Sequence, residues 1–208
     1  MNVAHPVAEP TNAVGGSVFA PIRALKRAYR ATYRTYEGAL HRRRHLAACR
    51  RLSNAQRPRR ILVICHGNIC RSPYLQAVLQ RSLPDVTVTS AGFVGSDRPV
   101  PQASVVLSAE RGFDLSRYRS RPITQSKISD ADLVIVMDSE QARQVARMFR
   151  VKSEQIVIAG DLEPIFDTSR AIKDPWNQSI EVFRSSFDRL DRCADSLVKV
   201  LRPTLARP

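Results

Sequence analysis

The chain has 208 residues, 43% of them hydrophobic, which is enough for one sizeable core plus an extension. No apolar stretch approaches the length of a membrane span, and the four cysteines, at 49, 65, 70 and 193, lack the spacing of a disulfide framework, which speaks against a membrane-spanning or disulfide-stapled class. The net charge of +14 is uneven: residues 1–60 hold 13 Lys and Arg against 2 acids, whereas residues 61–208 hold 20 against 17.

The first sixty residues are therefore a separate electrostatic object. Up to Pro21 the chain is rich in Ala, Val, Pro, Gly and Asn without periodicity and is expected to be a loose tail. From Ile22 the residues Leu25, Tyr29, Tyr33, Tyr36 and Leu40 recur at steps of three or four with arginines between them, which predicts a basic amphipathic helix reaching Leu52. Residues 1–57 are thus expected to form a basic N-terminal extension and 58–208 a folded domain. The bland role for the 22–52 helix is docking on the body or on a partner protein with its arginines solvated. Sharper roles are adsorption to an anionic surface or nonspecific contact with nucleic acid. Specific nucleic-acid binding is not expected, because no fold-level motif accompanies the tyrosines, and the Gly- and Pro-containing start fits an organelle presequence poorly. His41, His45 and Cys49 share a helix face as metal ligands do, but five arginines between 42 and 51 repel a cation, so no metal site is expected.

Beyond residue 58, strands are predicted at Ile61–Cys65, Val86–Ser90, Leu133–Met137 and Ile156–Ala159, each short and rich in β-branched residues. Helices are predicted at Tyr74–Ser82, Pro101–Arg111, Ser139–Phe149 and Asn177–Leu201. In the last, Ile180, Phe183, Phe187, Leu190, Ala194, Leu197 and Leu201 form one apolar face. Strands alternating with helices imply an α/β fold, a three-layer sandwich with a central, mainly four-stranded parallel sheet and helices on both faces.

The string Cys65-His66-Gly67-Asn68-Ile69-Cys70-Arg71-Ser72 joins the first strand to a helix that opens with Pro73. A cysteine at a strand end and an arginine six positions later leave five residues to curl their amides around a tetrahedral anion, aided by the helix N-terminus. Arg71 offers a planar fork to two phosphate oxygens, and the same field stabilises a thiolate on Cys65, to which the Ser72 hydroxyl can donate. Gly67 allows a turn that a side chain would obstruct, and Asn68 tolerates left-handed dihedrals or braces the loop through its amide. Open α/β sheets place ligands at such carboxyl ends of strands. A bare Cys-x5-Arg pair is a weak signal; the whole string in its strand–helix context is a strong one.

Ile-Cys-His-Gly-Asn-Ile-Cys-Arg-Ser-Pro resembles the active-site signature of low-molecular-weight protein tyrosine phosphatases. Ser90-Ala91-Gly92, the run Ala131–Asp138 and Asp174-Pro175-Trp176 agree with that family in order and spacing, over roughly residues 58 to 208. The resemblance implies Cys65 as nucleophile, Arg71 as phosphate clamp and Asp174 as general acid, then base for water. On its own, Asp174-Pro175 reads as a turn. Asn68, Ser72 and Ser90 would brace the loop, Trp176 and Phe93 would wall the substrate, and no cofactor or metal would be needed. Cys70 is either a redox partner of Cys65, as the resemblance suggests, or a small buried residue; Cys193 is expected in the core.

Departures are visible. Tyr118, within Ser116-Arg117-Tyr118-Arg119-Ser120-Arg121, stands where the family leads us to expect a histidine of the bracing network, so that network is expected to be partial. Gln76 stands where relatives carry an acid. Arsenate reductases of this fold need further cysteines, and none lies between Cys70 and Cys193. The expected activity is hydrolysis of phosphotyrosine in proteins through a cysteinyl-phosphate, in a reducing cytoplasm. A deep loop favours a long aromatic ester, and Ile69 adds an apolar wall. The alternatives are an arginine phosphatase of the same fold, or a catalytically weak phosphate-binding module whose basic extension contacts membrane or nucleic acid.

Overall fold

Alternation of buried side chains between two sheet faces organises the molecule. A computed structural model describes residues 19–56, 58–166 and 169–205, of which 19–35, Glu37 and 203–205 are described by backbone alone. Strands β1 (Arg60–Cys65), β2 (Thr87–Gly92), β3 (Leu133–Val136) and β4 (Ile156–Ile158) form one parallel sheet in the order β2-β1-β3-β4. On β1, Ile61, Val63 and Cys65 join one hydrophobic cluster while Leu62 and Ile64 join another, so each sheet face has its own core.

Among the described residues the α-helices are α1 (Phe19–Asn54), α2 (Arg71–Ser82), α3 (Gln102–Ala109), α4 (Gln125–Ser129), α5 (Ser139–Phe149) and α6 (Ile180–Leu205). The first core takes side chains from α2, α3 and α6 with Ala48 and Leu52 of α1; the second takes Ile128 of α4 and Val145 of α5. This is the three-layer α/β sandwich that the alternating pattern implies. No described helix is long and apolar enough to cross a membrane.

Boundaries shift for local reasons. Helix α2 begins at Arg71 rather than Tyr74, since Pro73 is tolerated within a first turn. Helix α6 begins at Ile180 rather than Asn177, whose left-handed φ of 55° interrupts the helix. Its buried stripe starts at Phe183; Ile180, counted into that stripe from sequence, is 42% exposed. The five residues of α4 are too few to show a period, and Thr124 caps them by accepting from the Lys127 amide.

The compact unit that holds the sheet runs over Glu37–Pro208, and the residues to Tyr36 form a second unit. Residues 1–18 of the expected tail, and the side chains of Leu25, Tyr29 and Tyr33, lie outside the described residues. Between Gly38 and Leu52 the packed positions are Gly38, His41, His45, Ala48 and Leu52, whereas Tyr36 is exposed and Leu40 half-buried. The buried stripe in this part is therefore not the tyrosine-leucine stripe expected from sequence. Small residues set it: a Cβ on Gly38 would come within 2.8 Å of the Phe166 carbonyl oxygen. His41 and His45 meet the Phe166 ring edge-on, His45 Nδ1–H donates to the Asp161 carbonyl (3.1 Å), and Arg51 donates to the Ile156 carbonyl at 2.7 Å.

Candidate active site

Cys65 ends the central strand, paired with Gly92 of β2, and residues 66–70 turn directly into α2. Two donors converge on its sulfur, the Asn68 amide at 3.2 Å and the Ser72 hydroxyl at 3.0 Å, an arrangement that solvates a sulfur anion. Among the described residues, the amides of Gly67, Ile69 and Cys70 donate to no other group of the protein. The turn thus keeps free backbone donors beside the thiol, as an anion nest requires.

Asn68 fixes the turn. Its φ of 51° is left-handed, and its fully buried amide uses its whole bonding capacity. Nδ2 donates to Ser72 Oγ (2.9 Å) and Ser90 Oγ (3.0 Å), while Oδ1 accepts from the Tyr118 hydroxyl (2.9 Å) and the Arg121 amide (2.8 Å). Ser90 in turn donates to Gln76 Oε1 (2.7 Å) and lies 2.7 Å from the Tyr118 oxygen. The expectation of a partial network is therefore corrected. Tyr118 has the reach to close it, and Gln76 accepts where an acid was expected. Burial pushes the Tyr118 phenol above its ordinary value, so it remains a protonated donor.

Gly67 does not have a left-handed φ; what it supplies is space, because a Cβ there would meet the Arg98 guanidinium at 2.5 Å. Gly92 has a similar duty: its missing side chain would fall 2.8 Å from the Asn68 amide nitrogen.

Arg71, the first residue of α2, is 3% exposed. Nη1 donates to the Ile172 carbonyl (2.9 Å), Nη2 pairs with Asp174 Oδ2, and Nε is buried without a hydrogen-bond partner. Asp174 Oδ1 accepts from the Trp176 amide at 3.2 Å, which forms the turn that Asp-Pro predicts. The segment carrying Asp174 is tied down at several points. The Arg170 fork grips Asp161 through two 2.7 Å bonds, the Ile172 amide donates to the Met137 carbonyl (2.9 Å), and the Ser186 hydroxyl donates to the Lys173 carbonyl (3.0 Å). Fully buried Glu163 accepts from both Arg189 and Arg192.

A cavity of about 170 Å3 is lined by Cys65, His66, Gly67, Ile69 and Cys70 of the turn together with Val94, Arg98, Asp174 and Trp176. Trp176 is 55% exposed on that lining, whereas Phe93, expected beside it, is half-buried against the second core. Strand parity explains the correction. Phe93 follows Ala91 onto the α4–α5 face, and Val94 takes the cavity position. Nothing in the local sequence pattern of Arg98 signals that it returns to the turn. Burial, with the negative charges of Cys65 and Asp174 added, pushes the Cys70 thiol up to about 12, so it stays neutral beside its neighbour. Cys193 is buried in α6, as expected of a core residue.

Residues 60–206 match the family model of the low molecular weight phosphotyrosine protein phosphatases. The chain belongs to this family. It is 37% identical over 143 residues to the probable low molecular weight protein-tyrosine-phosphatase EpsP of Ralstonia nicotianae, covering 68% of this chain and 95% of that protein. Its fold is similar to that of the tyrosine phosphatase Wzb of Escherichia coli K30, solved with sulphate (TM-score 0.63, 28% identity, 68% of this chain and 97% of the other). It is also similar to the YwlE arginine phosphatase of Geobacillus stearothermophilus (TM-score 0.64, 29% identity, 70% and 94% covered).

Proposed function

We propose that this phosphatase hydrolyses phosphotyrosine in proteins by transferring the phosphoryl group to Cys65 and then to water. The observation that carries the reading is the convergence of two hydrogen bonds on the Cys65 sulfur in a cavity that Asp174 also lines. The Cys65 thiolate attacks phosphorus in line, and the S–P bond forms as the P–O bond to the tyrosine oxygen breaks. The unpaired amides of the turn and the Arg71 fork hold the three equatorial oxygens. Asp174 protonates the departing phenolate and then takes the proton of the water that cleaves the S–P bond, which regenerates the thiolate. The partnerless Nε and the second hydrogen of Nη2 are the donors left for phosphate, so one guanidinium serves both the anion and Asp174. Trp176 and Ile69 flank the aryl ring.

Arg98 on the cavity lining, together with apolar Ile69, disfavours the cationic guanidino group of a phosphoarginine, whose phosphorus is held by nitrogen, and favours the neutral ring of an aryl ester. Because the thiolate must stay reduced, the reading places the protein in a reducing compartment, the cytoplasm. The outward face of α1 carries exposed Arg42, Arg43 and Arg50 with Leu46, a mixture suited to an anionic surface.

The test is hydrolysis of p-nitrophenyl phosphate by the purified chain. Wild type is expected to turn over with no added metal, Cys65→Ser to lose activity, and Asp174→Ala to fall by roughly 10²–10⁴-fold in kcat. Phosphate binding without turnover in wild type would instead mark a binding module.

A further inference from the structure

Arg98 is built into the cavity, and among the described residues it has no acidic partner. Its backbone is clamped to a neighbouring segment: its amide donates to Ser120 Oγ (3.0 Å), its carbonyl accepts from the Ser120 amide (3.0 Å), and Pro99 bridges Arg119 in antiparallel fashion. Its guanidinium is threaded between two glycines. A Cβ on Gly95 would sit 2.4 Å from Nε and one on Gly67 would sit 2.5 Å from Nη2, so neither position accepts a side chain while the arginine stays in place. Nη2 donates to the Gly67 carbonyl (3.0 Å), inside the phosphate-binding turn itself. Nε is buried without a partner, and among the described residues no carboxylate pairs with the group. A fixed, incompletely bonded cation at the rim of an anion site is an arrangement that accepts a second anion.

We infer that Arg98 recognises a carboxylate side chain next to the phosphotyrosine, so that acidic phosphopeptides are the preferred substrates of this site. The inference rests on the function proposed above. Arg71 and the free amides already serve the phosphoryl oxygens, which leaves Arg98 for a different group. Successive residues of a bound peptide stand about 3.8 Å apart, so a Glu or Asp one or two positions away reaches the rim. Exposed Arg119 and Arg121 on the paired segment deepen the positive potential there and draw in the same peptides.

The test uses the full chain as Cys65→Ser, titrated with fluorescein-labelled phosphotyrosine peptides that carry Glu, Gln or Lys at the flanking positions. The Glu peptide is expected to bind roughly three- to tenfold more tightly than the Gln peptide, with the gap closing at about 0.5 M salt. Adding Arg98→Gln removes the gap, and Arg98→Glu reverses it in favour of Lys. Because each variant is judged by its ratio between peptides, a general weakening of the turn does not mimic the result. Equal binding of Glu and Gln peptides, or a preference that survives Arg98→Gln, overturns the assignment. Hydrolysis of p-nitrophenyl phosphate by wild type is scored separately. Turnover without peptide preference sinks this inference alone, whereas preference without turnover sinks the proposed function and leaves the carboxylate site standing.

Discussion

Asn68 shows how much chemistry one side chain organises when burial forbids any unmet bond. Its four partners come from α2, β2 and the 118–121 segment, so the shape of the turn around Cys65 is a consensus among elements far apart in sequence. Tyr118 is the partner least expected. Because burial pushes its phenol up, the network does not titrate near neutrality. Replacing it with histidine, whose ordinary pKa is about 6.5, should introduce an inflection between roughly pH 5.5 and 7.5 in the kcat/KM profile that wild type lacks. Superimposable profiles would show that the Tyr118 proton has no part in bracing the loop. Loss of the hydroxyl in Tyr118→Phe should lower stability by about 1–2 kcal/mol, read from the urea midpoint, because an Asn68 lone pair is left buried and unmet.

The elements differ in how plainly they are written in the sequence. The strands are legible because they are short runs rich in β-branched residues, and the turn is legible because its residues are contiguous. The register of α1 is not. Tyrosines and leucines outweigh a glycine in any hydropathy count, yet Gly38 and Ala48 face the body because only small residues allow so close an approach. Arg98 and the Ile172 carbonyl are equally hidden, since each reaches the site across a distance that spacing cannot report. Among the ties of the segment that leads to Asp174 is one buried carboxylate, Glu163, shared by Arg189 and Arg192. Glu163→Ala strands those two guanidinium groups and should cost about 3–5 kcal/mol, seen as a large fall in Tm, whereas a surface change such as Glu154→Ala should cost almost nothing. Equal melting curves would mean that the segment is held chiefly by its backbone bonds.

For the molecule as a whole, high pH is a liability. Tyr74 stacks on Phe187 with centroids 3.9 Å apart and donates to Asp191 at 2.6 Å, and burial followed by that bond raises its phenol. Burial likewise raises the Cys193 thiol. In both cases the folded chain keeps a proton that the unfolded chain releases, so the native state binds more protons and stability falls as pH rises. The contribution is intact below the ordinary values. Loss begins near pH 8.5 for the thiol and near pH 10 for the phenol, at up to about 1.4 kcal/mol per pH unit for each group. Urea midpoints measured from pH 7.5 to 10.5 should decline in two stages. Cys193→Ala reduces the first, to which the buried Cys70 thiol also contributes, and Tyr74→Phe reduces the second; a decline unchanged in both variants would assign the effect to other groups.

The two halves of the chemistry hang from parts of unequal tenacity. The sulfur is attached to the strand that is hydrogen-bonded on both flanks, the last region expected to open, whereas the proton donor rides on a long connection stapled by side chains. Gentle warming should therefore strand a protein that is still folded and still captures phosphate, but has forgotten how to let the alcohol go.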